Sequence, residues 1–328
     1  MNTNFTSLKS PKSYAIFVRS SYGDLLMVDP LIRYIKKLNY DNKIDLFVED
    51  KIAQIVEFME HINNYYSLPS KGNKYLFFTY FGLKYRKNKY DISIAAKTGT
   101  GSANGYFQFT LGATKKISYV SKPKTWTDKL VNSPVDFEEE IYDNQHYALS
   151  VLKLLDQNIK NIDKSLFPKL IIEDKSQIKS TPRILISLSN NRKSCLLSNA
   201  KISLIFNQLC MEYKFEVIIS VMKNDYGLAL ELKNQLNLKS SIYQTPILGD
   251  YLKLIKSADI CFLGEGGSMH MAAALEIPQV VLFGETSTIT WGPLSLEAKV
   301  IKAKKDVNNI PEKVIFDALK AKLIEAQN

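Results

Sequence analysis

The sequence predicts an α/β protein of two similarly sized domains, each a parallel sheet covered by helices. Three observations carry this. Short β-branched or aromatic runs alternate with helical patterns from end to end, the signature of strand–helix–strand units. The 328 residues suit two domains, and 45% apolar against 23% charged residues provides for sizeable cores. Between the halves, Gln157 to Thr181 is rich in Lys, Asp and Asn, carries Pro168, is followed by Pro182 and lacks a clear period. The division therefore runs 1–165, a linker at 166–182, and 183–328.

In the first half, Tyr14–Val18 reads as a strand and Leu25–Leu38 as mostly helix. Pro30 interrupts that helix, so either Asp29 caps a helix with Pro at its first position or the helix kinks there. Lys43–Val48 reads as a strand, Lys51–Met59 as a helix, and Tyr90–Ala96 and Lys116–Val120 as strands. In the second half Arg183–Ser189 is a strand, followed by a helix whose Ile202, Ile205 and Leu209 share one face. Phe215–Val221 is a strand; Tyr226–Leu236 and Tyr251–Ser257 are helices. Asp259–Leu263 is a strand, Ser268–Glu276 a helix and Gln279–Phe283 a strand. Ile315, Leu319 and Leu323 recur every fourth residue, making Glu312–Ala326 an amphipathic helix, with the option of packing back on the first domain.

Composition narrows the function. No apolar run approaches the ~18–20 residues of a membrane span, and Tyr14–Val18 is too short for a signal-peptide core, so a cytoplasmic location is expected. Lys plus Arg number 43 against 33 Asp plus Glu, a net charge of +10, which favours an anionic partner. The basic residues are dispersed and not interleaved with aromatics as in known modules, so nucleic acid is not the expected partner. Cys195, Cys210 and Cys261 form no C-x-x-C pair, and His61, His146 and His270 are scattered. Neither a disulfide framework nor a zinc site is expected.

Ligands of open α/β sheets bind beyond the carboxyl ends of the strands, so those loops carry the chemistry, and in two such domains they are expected to face a shared cleft. After the first strand comes Arg19-Ser20-Ser21-Tyr22-Gly23-Asp24, where Asp24 is either a helix-capping residue or a general base. After the Asp259–Leu263 strand comes Gly264-Glu265-Gly266-Gly267-Ser268-Met269-His270, a glycine turn opening a helix of small residues. Its free N–H groups make it a candidate phosphate cradle, or else a structural tight turn. His270, one turn in, is a ligand contact or a packed residue. Phe283-Gly284-Glu285-Thr286 closes the next strand, where Thr286 can donate to a phosphate. After Arg183–Ser189 come Ser189-Asn190-Asn191-Arg192-Lys193, whose paired cations suit a diphosphate or form a solvated turn. Lys97 and Gly99-Thr100-Gly101-Ser102 follow the Tyr90–Ala96 strand.

Taken together, these loops resemble family 9 glycosyltransferases, the ADP-heptose:lipopolysaccharide heptosyltransferases. Ala258-Asp259 through Trp291-Gly292-Pro293 is similar to that family's strand, Asp-Ser/Thr-Gly turn, x-x-His-x-x-Ala-Ala-Leu helix, strand ending Phe-Gly, x-Thr and Trp-Gly-Pro. Val18 to Asp24, with Pro30 downstream, is similar to its opening strand and Gly-Asp loop. The resemblance implies a GT-B fold: two Rossmann-like domains facing a central cleft, with acceptor recognition largely in the first and nucleotide-sugar binding in the second. It implies inverting, metal-independent transfer of heptose from ADP-heptose to a Kdo-lipid A acceptor, with no cofactor, at the inner face of the cytoplasmic membrane.

Asp24 maps to the family's base. Glu265-Gly266-Gly267 maps to the Asp-Ser/Thr-Gly turn, and the phosphate-binding Lys falls at Arg192 or Lys193. Donor contacts are then expected from Ser189, Arg192, Lys193, Glu265, Gly266, Gly267, Ser268, His270 and Thr286. Acceptor contacts are expected from Ser21, Tyr22, Gly23, Lys97 and Ser102. Two departures stand at the donor loops. Glu265 and Gly266 replace Asp and a hydroxyl residue, and Ser194-Cys195-Leu196 replaces a Lys-x-Trp-Pro-like signature. A hexose donor and an inactive nucleotide-sugar-binding module therefore remain alternatives.

Overall fold

The structure, a computed structural model, describes residues 10–327 apart from 20, 98–102, 174–180, 191 and 245–246. It divides into two compact units, Met1–Pro168 and Lys169–Asn328. Leu170 is already tied to the second unit, its N–H donating to the Ala274 carbonyl at 2.9 Å.

The first unit contains β1 (Ser13–Val18), α1 (Tyr22–Leu26), α2 (Asp29–Leu38), β2 (Lys43–Glu49), β3 (Asn64–Leu68) and α3 (Lys74–Tyr85). It continues with β4 (Ile92–Ala95), α4 (Asn104–Leu111), β5 (Lys115–Val120), β6 (Ser133–Asp136), α5 (Glu139–Asp143) and α6 (Tyr147–Lys153). The six strands are parallel in the order β3-β2-β1-β4-β5-β6. Tyr14 through Val18 are all buried because both faces of the sheet are covered by helices, which is why the run is continuously apolar. Phe17 faces Phe47 and Ala95 across its two neighbours, and Phe17, Phe47, Phe78 and Phe107 form an aromatic core. Each such ring contributes roughly 1.5–3 kcal/mol on burial.

Two local expectations are corrected. The chain breaks at Met27–Val28, and α2 starts at Asp29 with Pro30 in its first turn; Val28 occupies the cap position. Asp29 is therefore not a cap. Its buried carboxylate accepts from Arg33 Nε at 2.8 Å, one turn on. The segment Asp50–Phe58 is a 3₁₀-helix rather than an α-helix. Lys51, Gln54 and Glu57 are exposed while the pairs between them are buried, a three-residue repeat that fits three residues per turn.

The second unit contains β7 (Arg183–Ser187), α7 (Asn199–Glu212), β8 (Glu216–Val221), α8 (Tyr226–Gln235), β9 (Ser240–Gln244) and α9 (Leu248–Lys256). It continues with β10 (Ile260–Gly264), α10 (Gly267–Ala274), β11 (Gln279–Phe283), α11 (Thr288–Trp291), β12 (Ala298–Lys302) and α12 (Glu312–Gln327). Its parallel order is β12-β11-β10-β7-β8-β9, the same wiring as the first unit read from the other edge. The last helix buries Ile315, Leu319 and Leu323 in this unit's own core, beside Phe206, Leu209 and Phe262. No helix among the described residues is long and apolar enough to cross a membrane.

Both sheets reverse their strand order at one point, between β1 and β4 and between β7 and β10. In a doubly wound sheet the loops on either side of that reversal splay apart and leave a crevice at the carboxyl ends. Those loops hold most of the candidate residues.

Candidate functional site

In the first unit, the loop after β1 ends in a reciprocal helix cap. Ser21 Oγ accepts from the Asp24 backbone N–H at 3.3 Å. The Asp24 carboxylate accepts through Oδ2 from the Ser21 N–H at 2.9 Å and the Ser21 hydroxyl at 2.6 Å. Two otherwise orphaned groups of a short helix are thus satisfied together. Asp24 is thus a helix-capping residue, and the cap engages one of its oxygens only. Oδ1 takes no hydrogen bond among the described residues. Gly23 is buried, and burial holds the Tyr22 phenol above its usual range. Arg19 is drawn aside by Glu49 at 2.6 Å. Across the reversal point, Lys97 is exposed just beyond β4. Ser102 lies outside the described residues.

In the second unit, three loops converge. Glu265, directly after β10, is 3% exposed. Its Oε1 accepts from Thr286 Oγ1 at 2.7 Å, Cys195 Sγ at 3.0 Å and Arg192 Nη1 at 3.2 Å. Arg192 Nη1 also donates to Thr286 Oγ1 at 2.7 Å. Burial, then the neighbouring carboxylate, pushes the Cys195 thiol up to about 11, so it stays protonated and donates. Glu265 Oε2 is buried and takes no hydrogen bond among the described residues. The Arg192 side chain is 59% exposed and commits only Nη1, leaving the rest of its fork to solvent.

Glycine sets the turn. Gly266 has φ +147° and ψ −166°, a region that side chains avoid, and it starts α10 without any side-chain cap. That backbone favours glycine over any residue with a side chain at this position. The first-turn N–H groups of α10 carry the positive end of the helix dipole.

Not every expected donor residue is displayed. Ser189 Oγ is a brace, donating to Asp225 at 2.7 Å and accepting from the Met222 N–H at 2.8 Å. Ser268 Oγ accepts from the Tyr251 hydroxyl at 2.7 Å, and burial pushes that phenol up to about 12. His270 is buried within α10. Lys193 is exposed beside Arg192.

Two further residues matter. Asn190 bridges the loops on either side of the reversal point, donating to the Glu265 carbonyl at 2.8 Å and accepting from the Arg192 N–H at 3.0 Å. Lys302, on β12, donates to the Gly284 carbonyl and to the Thr286 carbonyl at 3.0 Å, fixing the loop that presents Thr286. Asn190 carried a signal, since Asn is the residue that folds its own turn. Lys302 carried none, because its strand was not legible. Among the described residues no group of three His, Cys, Asp or Glu is placed to hold a metal ion.

The family model of glycosyltransferase family 9 (heptosyltransferase) matches residues 78–322. A Campylobacter coli protein, lipopolysaccharide heptosyltransferase 1, is 24% identical over a match covering 90% of each chain. The solved family 9 glycosyl transferase of Veillonella parvula has a TM-score of 0.81 at 14% identity, covering 96% of this chain and 97% of that one. The E. coli ADP-heptose lipopolysaccharide heptosyltransferase II has a TM-score of 0.78 at 18% identity, covering 97% and 100%. The fold is of the GT-B type, and this chain belongs to glycosyltransferase family 9, the heptosyltransferases.

Proposed function

We propose that the chain transfers heptose from ADP-heptose to an anionic, Kdo-containing lipid A acceptor, with inversion and without a metal. The observation that carries the reading is the Arg192–Thr286–Glu265 cluster at the reversal point of the second sheet. It combines an open guanidinium with a buried carboxylate oxygen still in need of a donor. A diphosphate suits the guanidinium, Lys193 and the first-turn N–H groups of α10, and a sugar hydroxyl suits Glu265 Oε2.

The reaction is a single displacement. Asp24 Oδ1 takes the proton of the attacking acceptor hydroxyl, a step worth roughly 10²–10⁴ in rate. The new bond forms on the face of the anomeric carbon opposite the departing diphosphate, whose growing charge Arg192, Lys193 and the first-turn N–H groups of α10 stabilise, the Thr286 hydroxyl being committed to Glu265. The excess of 43 basic over 33 acidic residues supports an acidic lipid-linked acceptor at the inner membrane face.

A thermal-shift comparison of ADP, UDP and GDP tests the donor. A ligand at about 100 times its dissociation constant stabilises the folded state by roughly 2.7 kcal/mol. Stabilisation by ADP alone is the expected result. Stabilisation by UDP or GDP instead points to a hexose donor. Transfer that disappears with a chelator overturns the metal-free mechanism.

A further inference from the structure

Resting on the reading of an acidic saccharide acceptor, we propose that Tyr75, Tyr106 and Trp126 form a stacking platform for an anionic sugar ring. The three residues arrive on segments that follow the carboxyl ends of three different strands: Tyr75 after β3, Tyr106 after β4 and Trp126 after β5. That is the ligand-binding edge of an open α/β sheet.

The rings are locked to one another. Tyr75 and Trp126 stack with centroids 5.7 Å apart, and Tyr106 meets both edge-on at 5.4 and 5.8 Å. The Tyr106 hydroxyl lies 2.6 Å from Thr79 Oγ1, which in turn donates to the Tyr75 carbonyl at 2.8 Å. The loop bearing Trp126 is equally fixed. Asp128 accepts from the Ser121 hydroxyl at 2.7 Å and the Thr125 N–H at 2.9 Å. Gly105, on α4, allows the loop to come close, since a Cβ there would lie 2.1 Å from the Thr127 carbonyl oxygen.

All this ordering leaves Trp126 56% exposed. A ring supported from behind and open in front has lost its conformational entropy before any ligand arrives. Its π face suits the C–H face of a sugar.

Charge selects the kind of sugar. Lys71, Lys74, Lys97 and Lys124 lie on segments after these same strands, and Lys74 Nζ stands 5.5 Å from the centre of the Tyr75 ring. Among the described residues none of the four is in an ion pair, whereas neighbouring Lys122 is paired with Asp136 at 2.9 Å. Lysines free of ion pairs on the same loops as an aromatic face, one of them over the Tyr75 ring, favour a ring carrying a carboxylate or phosphate.

The test is calorimetric titration of the full-length protein at low salt with three probes: the methyl glycoside of Kdo, methyl glucoside and single-stranded oligothymidylate. The acidic glycoside is expected to bind, more weakly by about ten-fold in Trp126→Ala and with a smaller loss in Trp126→Phe. ADP-induced stabilisation, retained in both variants, controls for folding and also separates this claim from the donor assignment, which fails or stands on ADP alone. The proposal is overturned if Trp126→Ala binds the acidic glycoside as the parent does. It is equally overturned if the neutral glycoside binds as tightly, or if only the oligonucleotide binds.

Discussion

Replacing Thr286 with Val removes a hydroxyl that works twice, donating to Glu265 and accepting from Arg192, each at 2.7 Å. The shapes are similar, so the loss is polar. Glu265 is 3% exposed and its Oε2 is already without a hydrogen bond, so Oε1 would be left with Cys195 and Arg192 alone. A hydrogen bond to a charged group contributes roughly 1.5–3 kcal/mol. The bond from the largely exposed guanidinium adds little, because solvent screens it. The expected cost is about 2 kcal/mol. For a unit of this size each kcal/mol lowers the transition by roughly 2–4 °C, so the second unit should melt ~4–8 °C lower. Differential scanning calorimetry without nucleotide reads this directly, and the urea midpoint should move with it. Adding Arg192→Ala should reveal a coupling of at least ~0.5 kcal/mol between the two side chains. A fall of less than ~1 °C, with no coupling, would refute the claim that this cluster is intact in solution.

Three other outcomes follow from the geometry. Asp24→Asn retains an oxygen for Ser21, so stability should stay within about 0.5 kcal/mol while transfer slows by roughly 10²–10⁴; initial rates at the parent level would remove Asp24 from the chemistry. Gly266→Ser forces a side chain into φ +147° and should destabilise by about 1–3 kcal/mol; unchanged chemical melting would mean that the turn relaxes. Burial works against ionised Asp128, but hydrogen bonds from Ser121 and Thr125 hold its carboxyl below the usual carboxylate range. A depressed folded value stabilises above the unfolded pKa of about 3.9 and is lost as pH falls through the folded one. Acrylamide quenching of Trp126 should therefore rise below pH ~4, and Asp128→Asn should show that rise at neutral pH; a flat parent profile across this window would show that Asp128 does not hold the loop.

The strands legible in the sequence were the central ones. β1, β2, β4, β5, β7, β8, β10 and β11 announce themselves as apolar runs because helices cover both their faces. The four without such a run, β3, β6, β9 and β12, are the outer strands of the two sheets. Their Asn64, Ser133, Ser240 and Lys299 are the polar residues expected where one side has no partner. α3 was equally opaque, since Lys74–Tyr85 is aromatic on nearly every face and shows no helical period. At the site, Ser21-x-x-Asp24 carries the capping-box spacing, and the glycine turn at Gly266 was readable as a sharp bend. What spacing could not convey was the convergence of Arg192, Thr286 and Glu265 from three loops, which depends on strand order rather than on sequence distance. The hydrogen-bonded settings of Ser189 and Ser268 and the burial of His270 likewise depend on neighbours far along the chain.

The same outer strands bear on how this protein behaves at high concentration. A naked sheet margin is a template onto which a foreign strand can zip, seeding aggregation. Here each margin is short and studded with hydrophilic groups, and Pro134 on β6 withholds the amide hydrogen that recruitment would require. Runaway stacking of sheets is thereby discouraged, so self-association in a concentrated preparation would have to proceed through helical or loop surfaces instead.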